Sequence, residues 1–358
     1  MLSSAVQAAV ALALVPAGIG AVPERASAAV AAGRAHVSSN ILWVVAGAGV
    51  ANRMSMVVET GGQVYLEDNA AEIRLDPDRA GGCRQRDAWS VVCPATIDMV
   101  DINLFDRNDY FGNYTTIHNN VYGGAGDDEL WGWVGTDYFS GGDGDDELYG
   151  LSAEDRLYGG AGADLLEGHR GADALFGGDG DDILRGNEED DELYGDSGNN
   201  DVYGGRGNDL LFTSGSDQAW GDEGDDLLVH FRHNNTSDYH GGAGSDTIAY
   251  DHADATIGFN VALNDVADDG PRWDLYIPHN VHSDIEHVTG SGYDDWIIGS
   301  DLANTVTGGA GNDIIEGRGG DDILDAQQGA AQRVSGGAGS DRCAGDGLIP
   351  DATCERVG

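Results

Sequence analysis

A nine-residue period is the sequence feature that most constrains the fold. From Gly123 the chain divides into ten uninterrupted units that end at Phe212, then one unit of eight residues and another of nine that ends at Val229. Each unit opens with a turn of the form G-G-x-G-x-D and continues with x-U-x, where U is a large apolar residue. One such unit cannot bury its own apolar side chain, so a fixed short period predicts stacked repeats in a solenoid.

The apolar residue at position eight of each unit predicts a narrow core. One inward side chain per strand suffices only if strands stack on both sides of that core, so we expect two units, or eighteen residues, per coil. The predicted fold class is all-β, a parallel β-solenoid with a small N-terminal β cap. The position-eight residues are Leu130, Phe139, Leu148, Leu157, Leu166, Leu175, Leu184, Leu193, Val202, Leu211 and Leu228.

Charge and glycine content narrow the class of protein. The chain carries 63 acidic residues against 18 basic ones, all arginine, and its formal net charge is -45. Nucleic acids and anionic membranes would repel such a surface, so neither is a predicted partner. The 57 glycines are about twice average usage and favour a turn-rich repeat. The evenly spaced apolar residues argue against disorder.

The turn itself predicts a calcium site. Glycines at turn positions one, two and four permit left-handed backbone angles, so that carbonyl oxygens can point toward a common centre without a β-carbon clash. Calcium takes six to eight oxygen ligands at about 2.3 to 2.6 Å, which carbonyls and position-six aspartates of stacked turns can supply. Without cations, two aspartates about 4.8 Å apart would repel by about 3.5 kcal/mol at an effective dielectric near 20. Metal binding should therefore be coupled to folding.

The units GGAGDDELW, GGDGDDELY, GGAGADLLE and GGRGNDLLF resemble the repeats-in-toxin (RTX) nonapeptide. The resemblance extends from Gly123 to Val229, with a single copy at 241 and a second array from about 290 to 345. It implies a right-handed parallel β-roll that holds several Ca²⁺ ions between turns. Spacing of the cysteines also resembles that of secreted calcium-binding proteins of actinobacteria. Turn glycines whose carbonyls would bind include Gly123, Gly141, Gly159, Gly177, Gly204 and Gly308.

Alternate turns differ in quality. The turns that begin at 123, 141, 159 and 177 are complete and define the first edge of the solenoid. Those at 132, 150, 168 and 186 are poorer and define the second edge, which improves at 204 and 221. We predict that calcium fills the first edge through Asp128, Asp146, Asp164 and Asp182, and the second edge mainly near Asp209 and Asp226. The alternative is that the second edge also binds through Asp137, Asp155, Asp173 and Asp191.

Further candidate ligands lie beyond the first array. They are Asp246 in the single copy, and Asp295, Asp313, Asp322 and Asp341 in the second array. Units at 299 and 326 depart from the pattern, which weakens the prediction of metal there.

The chain outside the repeats divides as follows. We predict a secretory signal peptide over residues 1–28, because an apolar run is followed by the small-x-small pattern Ala26-Ser27-Ala28. The run is too short for a membrane span. A β cap over 29–118 precedes the first roll at 119–249, an enlarged coil at 250–289 and the second roll at 290–358.

Four cysteines fall in two close pairs. Such pairs are expected of two short disulfides, Cys83–Cys93 and Cys343–Cys354, formed in an oxidising compartment, and metal ligation by the cysteines is the rival interpretation. Both signals together predict an extracellular protein.

No catalytic motif stands out. The sequence contains neither G-x-S-x-G nor H-E-x-x-H, so we predict a non-enzymatic calcium-binding protein. One alternative is an adhesion protein that binds a polysaccharide or a cell-surface partner through an outward aromatic column. That column comprises Tyr158, Phe176, Tyr194 and Phe212, which could equally well only stabilise strand stacking. A secreted hydrolase in the cap is the other alternative, and the sequence makes no prediction of oligomeric state.

Histidine is unevenly distributed. Seven of the ten histidines lie between residues 230 and 287, including the pairs His230 with His233 and His279 with His282. Such spacings could place imidazoles around zinc or copper, and solvated loop histidines are the alternative.

Overall fold

The structure is a computed structural model that describes residues 33–59, 62–231, 236–250, 258–267, 269–271, 279–347, 349–350 and 353–357. The predicted signal peptide lies outside the described residues. Within them the only helical segment is a short 3-10 helix, η1 (Pro77–Arg79). No helix of the described chain has the length and apolarity needed to cross a bilayer.

The N-terminal strands precede the repeats. They are β1 (Gly33–Ser38), β2 (Ile41–Val45), β3 (Arg53–Val58), β4 (Val64–Asp68), β5 (Ile73–Leu75), β6 (Arg84–Asp87), β7 (Ser90–Cys93), β8 (Met99–Asn103) and β9 (Tyr110–Tyr114).

The strands of the first array follow at short intervals. They are β10 (His118–Ala125), β11 (Glu129–Trp131), β12 (Asp137–Asp143), β13 (Glu147–Ser152), β14 (Arg156–Ala161), β15 (Leu165–Arg170), β16 (Ala174–Asp179), β17 (Ile183–Glu188), β18 (Glu192–Ser197), β19 (Asp201–Arg206), β20 (Leu210–Thr213), β21 (Gln218–Glu223), β22 (Leu227–His230), β23 (Asp238–Ala243) and β24 (Thr247–Ala249).

The remaining strands form the enlarged coil and the second array. They are β25 (Phe259–Ala262), β26 (Gly270–Pro271), β27 (Asn280–Val281), β28 (His287–Thr289), β29 (Trp296–Ile298), β30 (Thr305–Thr307), β31 (Ile314–Glu316), β32 (Ile323–Asp325), β33 (Arg333–Ser335), β34 (Asp341–Ala344), β35 (Ile349–Pro350) and β36 (Cys354–Val357).

Two parallel sheets carry the first array. Even-numbered strands from β10 to β24 pair in one sheet, where Phe139 of β12 is in register with Leu157 of β14. Odd-numbered strands from β9 to β23 pair in the other, where Leu148 of β13 faces Leu166 of β15. Partners from β10 to β20 are eighteen residues apart, because each coil contributes one strand to each sheet. The predicted all-β parallel solenoid with two units per coil is confirmed.

The core lies between these sheets and consists of the position-eight side chains. All eleven predicted residues are fully buried, from Leu130 to Leu228, and Ala219 fills the same place in the eight-residue unit. Neighbouring positions seven and nine point away from the core, as the period of two along a strand requires. The prediction of one inward side chain per strand is therefore confirmed.

The N-terminal strands continue both sheets of the roll. β8 pairs in parallel with β10, and β3 pairs in parallel with β9, which itself pairs with β11. The antiparallel pairs β3 with β4 and β4 with β7 extend the second sheet beyond β9. The predicted disulfides Cys83–Cys93 and Cys343–Cys354 are both present.

A third sheet replaces one of the first two after the enlarged coil. β24 pairs with β28, so the first sheet continues without a break across residues 250–286. The second sheet ends where β23 pairs with the two-residue strand β27. A separate parallel sheet then consists of β25, β29, β31, β33 and β35. The sequence did not predict this change of sheet, and the domain limits given above stay predictions.

Candidate metal centre

Position-six aspartates form a ladder along each edge of the solenoid. On the first edge, the backbone N–H of Asp128 donates to Oδ1 of Asp146 at 2.7 Å, and that of Asp146 donates to Oδ1 of Asp164 at 2.8 Å. On the second edge, Asp137 donates in the same way to Asp155 at 2.7 Å. Each carboxylate is thereby fixed by the coil before it, at the same place in every turn.

The second oxygen of these carboxylates has no hydrogen-bond partner, although it is buried. A buried anionic oxygen without a donor is costly, which points to a cation as its missing partner. Both edges share this property. The described aspartates with such an Oδ2 include Asp128, Asp137, Asp146, Asp155, Asp164, Asp173, Asp182, Asp191, Asp209, Asp226, Asp246, Asp322 and Asp341.

The unpartnered oxygen converges with a carbonyl oxygen of the next coil. A β-carbon placed on Gly123 would collide with Asp128 Oδ2 and lie 2.7 Å from the carbonyl oxygen of Gly141. On the second edge, a β-carbon on Gly186 would meet Asp191 Oδ2 and lie 2.7 Å from the Gly204 carbonyl. Two oxygen atoms therefore approach one point with no hydrogen-bond donor between them. Oxygen atoms of this kind are the ligands that calcium prefers.

The left-handed angle considered for the first turn glycine does not occur. Left-handed angles occur at positions two and four, as in Gly142 (φ 126°) and Gly144 (φ 137°), whereas Gly141 at position one has no positive φ. Glycine is needed at position one because a β-carbon would occupy the space beside the aspartate oxygen. The sequence could not distinguish these two requirements.

Two natural substitutions show what happens without the carboxylate. Asn200 occupies position six of the turn at 195, and its Nδ2 donates to the carbonyl oxygen of Gly195 at 2.8 Å. Gln332 replaces the aspartate of the turn at 326, and its Nε2 donates to the carbonyl oxygen of Ala326 at 2.6 Å. In both turns an amide N–H supplies the positive partner that the position-one carbonyl otherwise lacks.

Burial makes the ladder difficult to ionise without a cation. On the first edge it raises the pKa of Asp146 to about 8 and that of Asp164 to about 6. On the second edge it raises the pKa of Asp155 to about 9 and that of Asp191 to about 8. Repulsion from neighbouring ladder aspartates adds to the effect at Asp146, Asp155 and Asp191. Bound cations would reverse this penalty.

On the second edge, residues other than glycine hold positive φ angles at several of these turn positions. Leu151 (φ 79°), His169 (φ 77°) and Asn187 (φ 85°) stand at position two, and Ala153 (φ 94°) and Glu189 (φ 78°) at position four. Side chains rarely adopt these angles, and each costs about 1 to 2 kcal/mol. The structure gives both edges the same oxygen atoms, so its geometry does not favour the first edge over the second.

The other predicted ligands differ in their surroundings. Asp246 accepts from the N–H of Asp226 at 2.9 Å and continues the second edge. Asp322 and Asp341 are linked in the same way at 3.1 Å in the second array, and Asp313 accepts from the N–H of Asp295 at 2.9 Å. Asp295 differs because its Oδ2 accepts from the N–H of Ser291 at 2.7 Å.

Sequence reasoning missed the residue that begins the first ladder. Asp109 is buried, its N–H donates to Oδ1 of Asp128 at 2.7 Å, and its Oδ2 has no partner. Burial raises its pKa to about 7. No G-G-x-G pattern precedes it, and the one available signal was an aspartate nineteen residues before Asp128.

The predicted aromatic column is present and stacks ring on ring. Tyr158 and Phe176 have centroids 4.6 Å apart, Phe176 and Tyr194 4.7 Å, and Tyr194 and Phe212 4.5 Å, all within 8° of parallel. A second column on the other sheet includes Tyr203 and Trp220 at 4.5 Å.

Among the described residues, histidines that are far apart in the sequence meet one another. His230 packs against His279 inside the solenoid, with ring centroids 4.3 Å apart, and both are fully buried. His282 instead stacks on His240, at 3.7 Å, on the outer surface. His233 lies outside the described residues.

The fold and the turns define a parallel β-solenoid whose coils are lined with calcium-type oxygen sites. The family described as RTX calcium-binding nonapeptide repeat (4 copies) matches residues 115–148, 140–175, 149–184, 176–211, 213–229 and 298–330. These parts of the chain are RTX repeats, and such repeats imply calcium binding. No curated protein matches the sequence.

Proposed function

We propose that this chain is a secreted, non-catalytic calcium-binding protein that folds when its turns take up several Ca²⁺ ions after export. The observation that carries the proposal is the buried Oδ2 of the ladder aspartates, which faces a carbonyl oxygen and has no donor. Proteins of this repeat family are typically non-enzymatic.

The energetics favour coupling of binding to folding. Adjacent ionised carboxylates at strand spacing repel by about 3.5 kcal/mol at an effective dielectric near 20. Summed over two ladders, that repulsion rivals the roughly 5 to 15 kcal/mol that stabilise a domain. Calcium that binds only the folded coils removes the repulsion, so its binding free energy becomes folding free energy.

The calcium concentration and the redox conditions outside the cell support the same proposal. Extracellular calcium modules have dissociation constants of about 10⁻⁴ to 10⁻³ M, so they would be empty in a low-calcium cell interior and filled outside. Both disulfides suit an oxidising compartment.

The direct test is far-ultraviolet circular dichroism of the disulfide-intact protein with and without millimolar calcium. We expect the β-sheet signal to be largely lost after chelation and to return with calcium. Magnesium at equal ionic strength is the control for charge screening, and it should restore much less signal because it requires a tighter octahedral shell. An unchanged β signal after chelation would contradict the folding switch.

An adhesion function is the second candidate, based on the aromatic column. Because neighbouring rings lie nearly parallel at about 4.5 to 4.7 Å, they cover one another's faces and show their edges to solvent. This arrangement supports strand stacking more than a flat platform for sugar rings. Replacing Tyr158 and Tyr194 with serine should leave retention on a glycan column unchanged, and lost retention would favour adhesion.

A further inference from the structure

A cluster of imidazole and carboxylate groups lies where the second sheet of the first array ends. Asp238 and His240 belong to β23, and His282 directly follows β27, the last strand of that sheet. The N–H of His282 donates to the carbonyl oxygen of Tyr239 at 3.0 Å, which fixes the backbone of one strand beside the other. The enlarged coil thus places His282 on His240, although 42 residues separate them.

The distances between the three side chains match a small coordination sphere. Nε2 of His282 lies 2.9 Å and Nε2 of His240 lies 3.6 Å from Oδ1 of Asp238. One ligand atom from each residue lies within 4.8 Å of the other two. Ligands about 2.0 to 2.1 Å from zinc are separated by about 3.3 Å in a tetrahedron, so the observed distances bracket that value.

The two ring nitrogens of His282 face different carboxylates. Nδ1 lies 3.2 Å from Oδ1 of Asp265, on the turn after β25, while Nε2 faces Asp238. If Nδ1 carries the proton for Asp265, Nε2 accepts from the side-chain amide of Asn280, 2.6 Å away, which also donates to Oδ1 of Asp238 at 2.9 Å. A bound metal ion would take the place of that amide between Nε2 and Asp238. A carboxylate that holds the far nitrogen of a metal-binding histidine is a common feature of metal sites.

The cluster is also accessible. The side chains of His240, His282 and Asp238 are 26%, 22% and 37% exposed, so an ion can enter from solvent and keep water in its remaining positions. The ring of Trp220 stacks on the ring of His240, with the two centroids 5.5 Å apart. The χ2 torsions of histidines are broad, so both rings can turn toward one ion.

We propose that Asp238, His240 and His282 form a site for one divalent transition-metal ion, of the zinc or copper class, distinct from the calcium turns. Imidazole nitrogen suits zinc and copper, whereas calcium prefers oxygen ligands alone. Asp265 acts as a positioning residue through Nδ1 of His282. The site closes the end of one sheet, at the point where the chain changes to the third sheet.

Zinc binding to the full-length, tag-free protein in millimolar calcium tests the proposal. Excess calcium keeps the turns occupied, so zinc that binds tightly reports another site. We expect one zinc per chain by equilibrium dialysis, and at least a tenfold weaker affinity in His240→Gln and in His282→Gln. The control is His36→Gln, because His36 stacks on Trp43 in the N-terminal region, away from the cluster. That variant should bind zinc like the parent.

A second readout separates a metal site from a structural role. Copper(II) bound at His240 should quench Trp220 fluorescence, and the quenched fraction should be lost in His282→Gln while the circular dichroism spectrum stays unchanged. Asp265→Asn should weaken zinc binding by about tenfold, the effect expected of an orienting partner.

Zinc affinity that is equal in the parent and in the double variant His240→Gln/His282→Gln would overturn the proposal. Absence of bound zinc at micromolar concentrations would also overturn it, and would leave contacts with Asp238 and Asp265 as the role of His282. Failure here is distinguishable from failure of the calcium switch, since the calcium-dependent β signal is measured on the same samples without zinc.

Discussion

The first and second edges of the solenoid place their aspartates alike, although their turns have different sequences. On the first edge, glycines such as Gly142 and Gly144 supply the left-handed angles without strain. On the second edge Leu151 and Ala153 hold the corresponding angles. The aspartate ladders are nevertheless alike, with the same N–H to Oδ1 bonds and the same unpartnered Oδ2. The stacking of coils therefore imposes the turn, and glycine only makes it less costly.

Position three adds a second difference between the edges. On the second edge, Arg170 pairs with Glu188 at 2.8 Å, and Arg206 pairs with Glu223 at 3.2 Å, each across neighbouring coils. Corresponding first-edge residues, such as Asp143 and Ala161, form no such pair in the described chain. Ion pairs and strained backbone thus occur together on the edge with fewer glycines.

The largest expected effect comes from removing a whole ladder. We consider four aspartates of the first edge as one set and four of the second edge as the other. Alanine at all four positions of either set should remove several bound calcium ions and much of the calcium-dependent β signal, because both edges offer the same oxygens. Calorimetry that counts bound ions is the measurement. An unchanged count for the second-edge set would restore the sequence prediction that this edge binds mainly near Asp209 and Asp226. The two sets are Asp128, Asp146, Asp164 and Asp182, and Asp137, Asp155, Asp173 and Asp191.

The next largest effect should be the pH dependence of the folding stability of the metal-free protein. The folded pKa values are raised, to about 8 for Asp146 and about 9 for Asp155, whereas an unfolded aspartate titrates near 3.8. The unfolded chain then binds fewer protons than the folded one between these values. Stability is therefore present near pH 4 and is lost as the pH rises through about 9.

Chelated protein should accordingly gain β signal on acidification from pH 8 to pH 5, and calcium affinity should fall over the same range. Asp155→Asn is the matched variant, since asparagine occurs naturally at position six as Asn200. It should retain more metal-free structure at pH 8 than the parent. A β signal of the chelated protein that does not change with pH would contradict the burial of ionisable carboxylates.

Relief of backbone strain on the second edge should have a smaller effect. Ala153→Gly should raise the free energy of unfolding of the calcium-loaded protein by about 1 kcal/mol, because φ is 94° at that residue. Ala163→Gly on the first edge is the control, since Ala163 has no positive φ and glycine there should destabilise by about 0.5 to 1 kcal/mol. Equal effects of the two changes would mean that Ala153 is not strained.

The smallest effect should come from the ion pairs at position three. Arg170 and Glu188 are 69% and 44% exposed, so Arg170→Gln should cost no more than about 0.5 kcal/mol and less at high salt. Arg156→Gln removes the same charge without breaking an ion pair of the described structure. A thermal shift for Arg170→Gln that is much larger than for this control would show that the pairs compensate for the missing glycines.

The repeat made much of the fold predictable. A period of nine residues with one large apolar residue fixes which strands are neighbours, so Leu148 had to meet Leu166 and Asp146 had to lie beside Asp164. The same logic fails where the period stops. Asp109 continues a ladder without a motif, and His240 meets His282 only because of the length of the enlarged coil.

The amino-acid sequence alone determined the coil, its core and the aspartate that each turn offers, because these follow from a local pattern repeated many times. Tertiary structure decided which glycines prevent collisions and which provide left-handed angles, and that turns poor in glycine place their aspartates as the rich ones do. It also decided which histidines meet. The physical reason is that backbone angles and contacts in one coil are set by the coils stacked above and below it. The sequence of a single turn does not specify those neighbours.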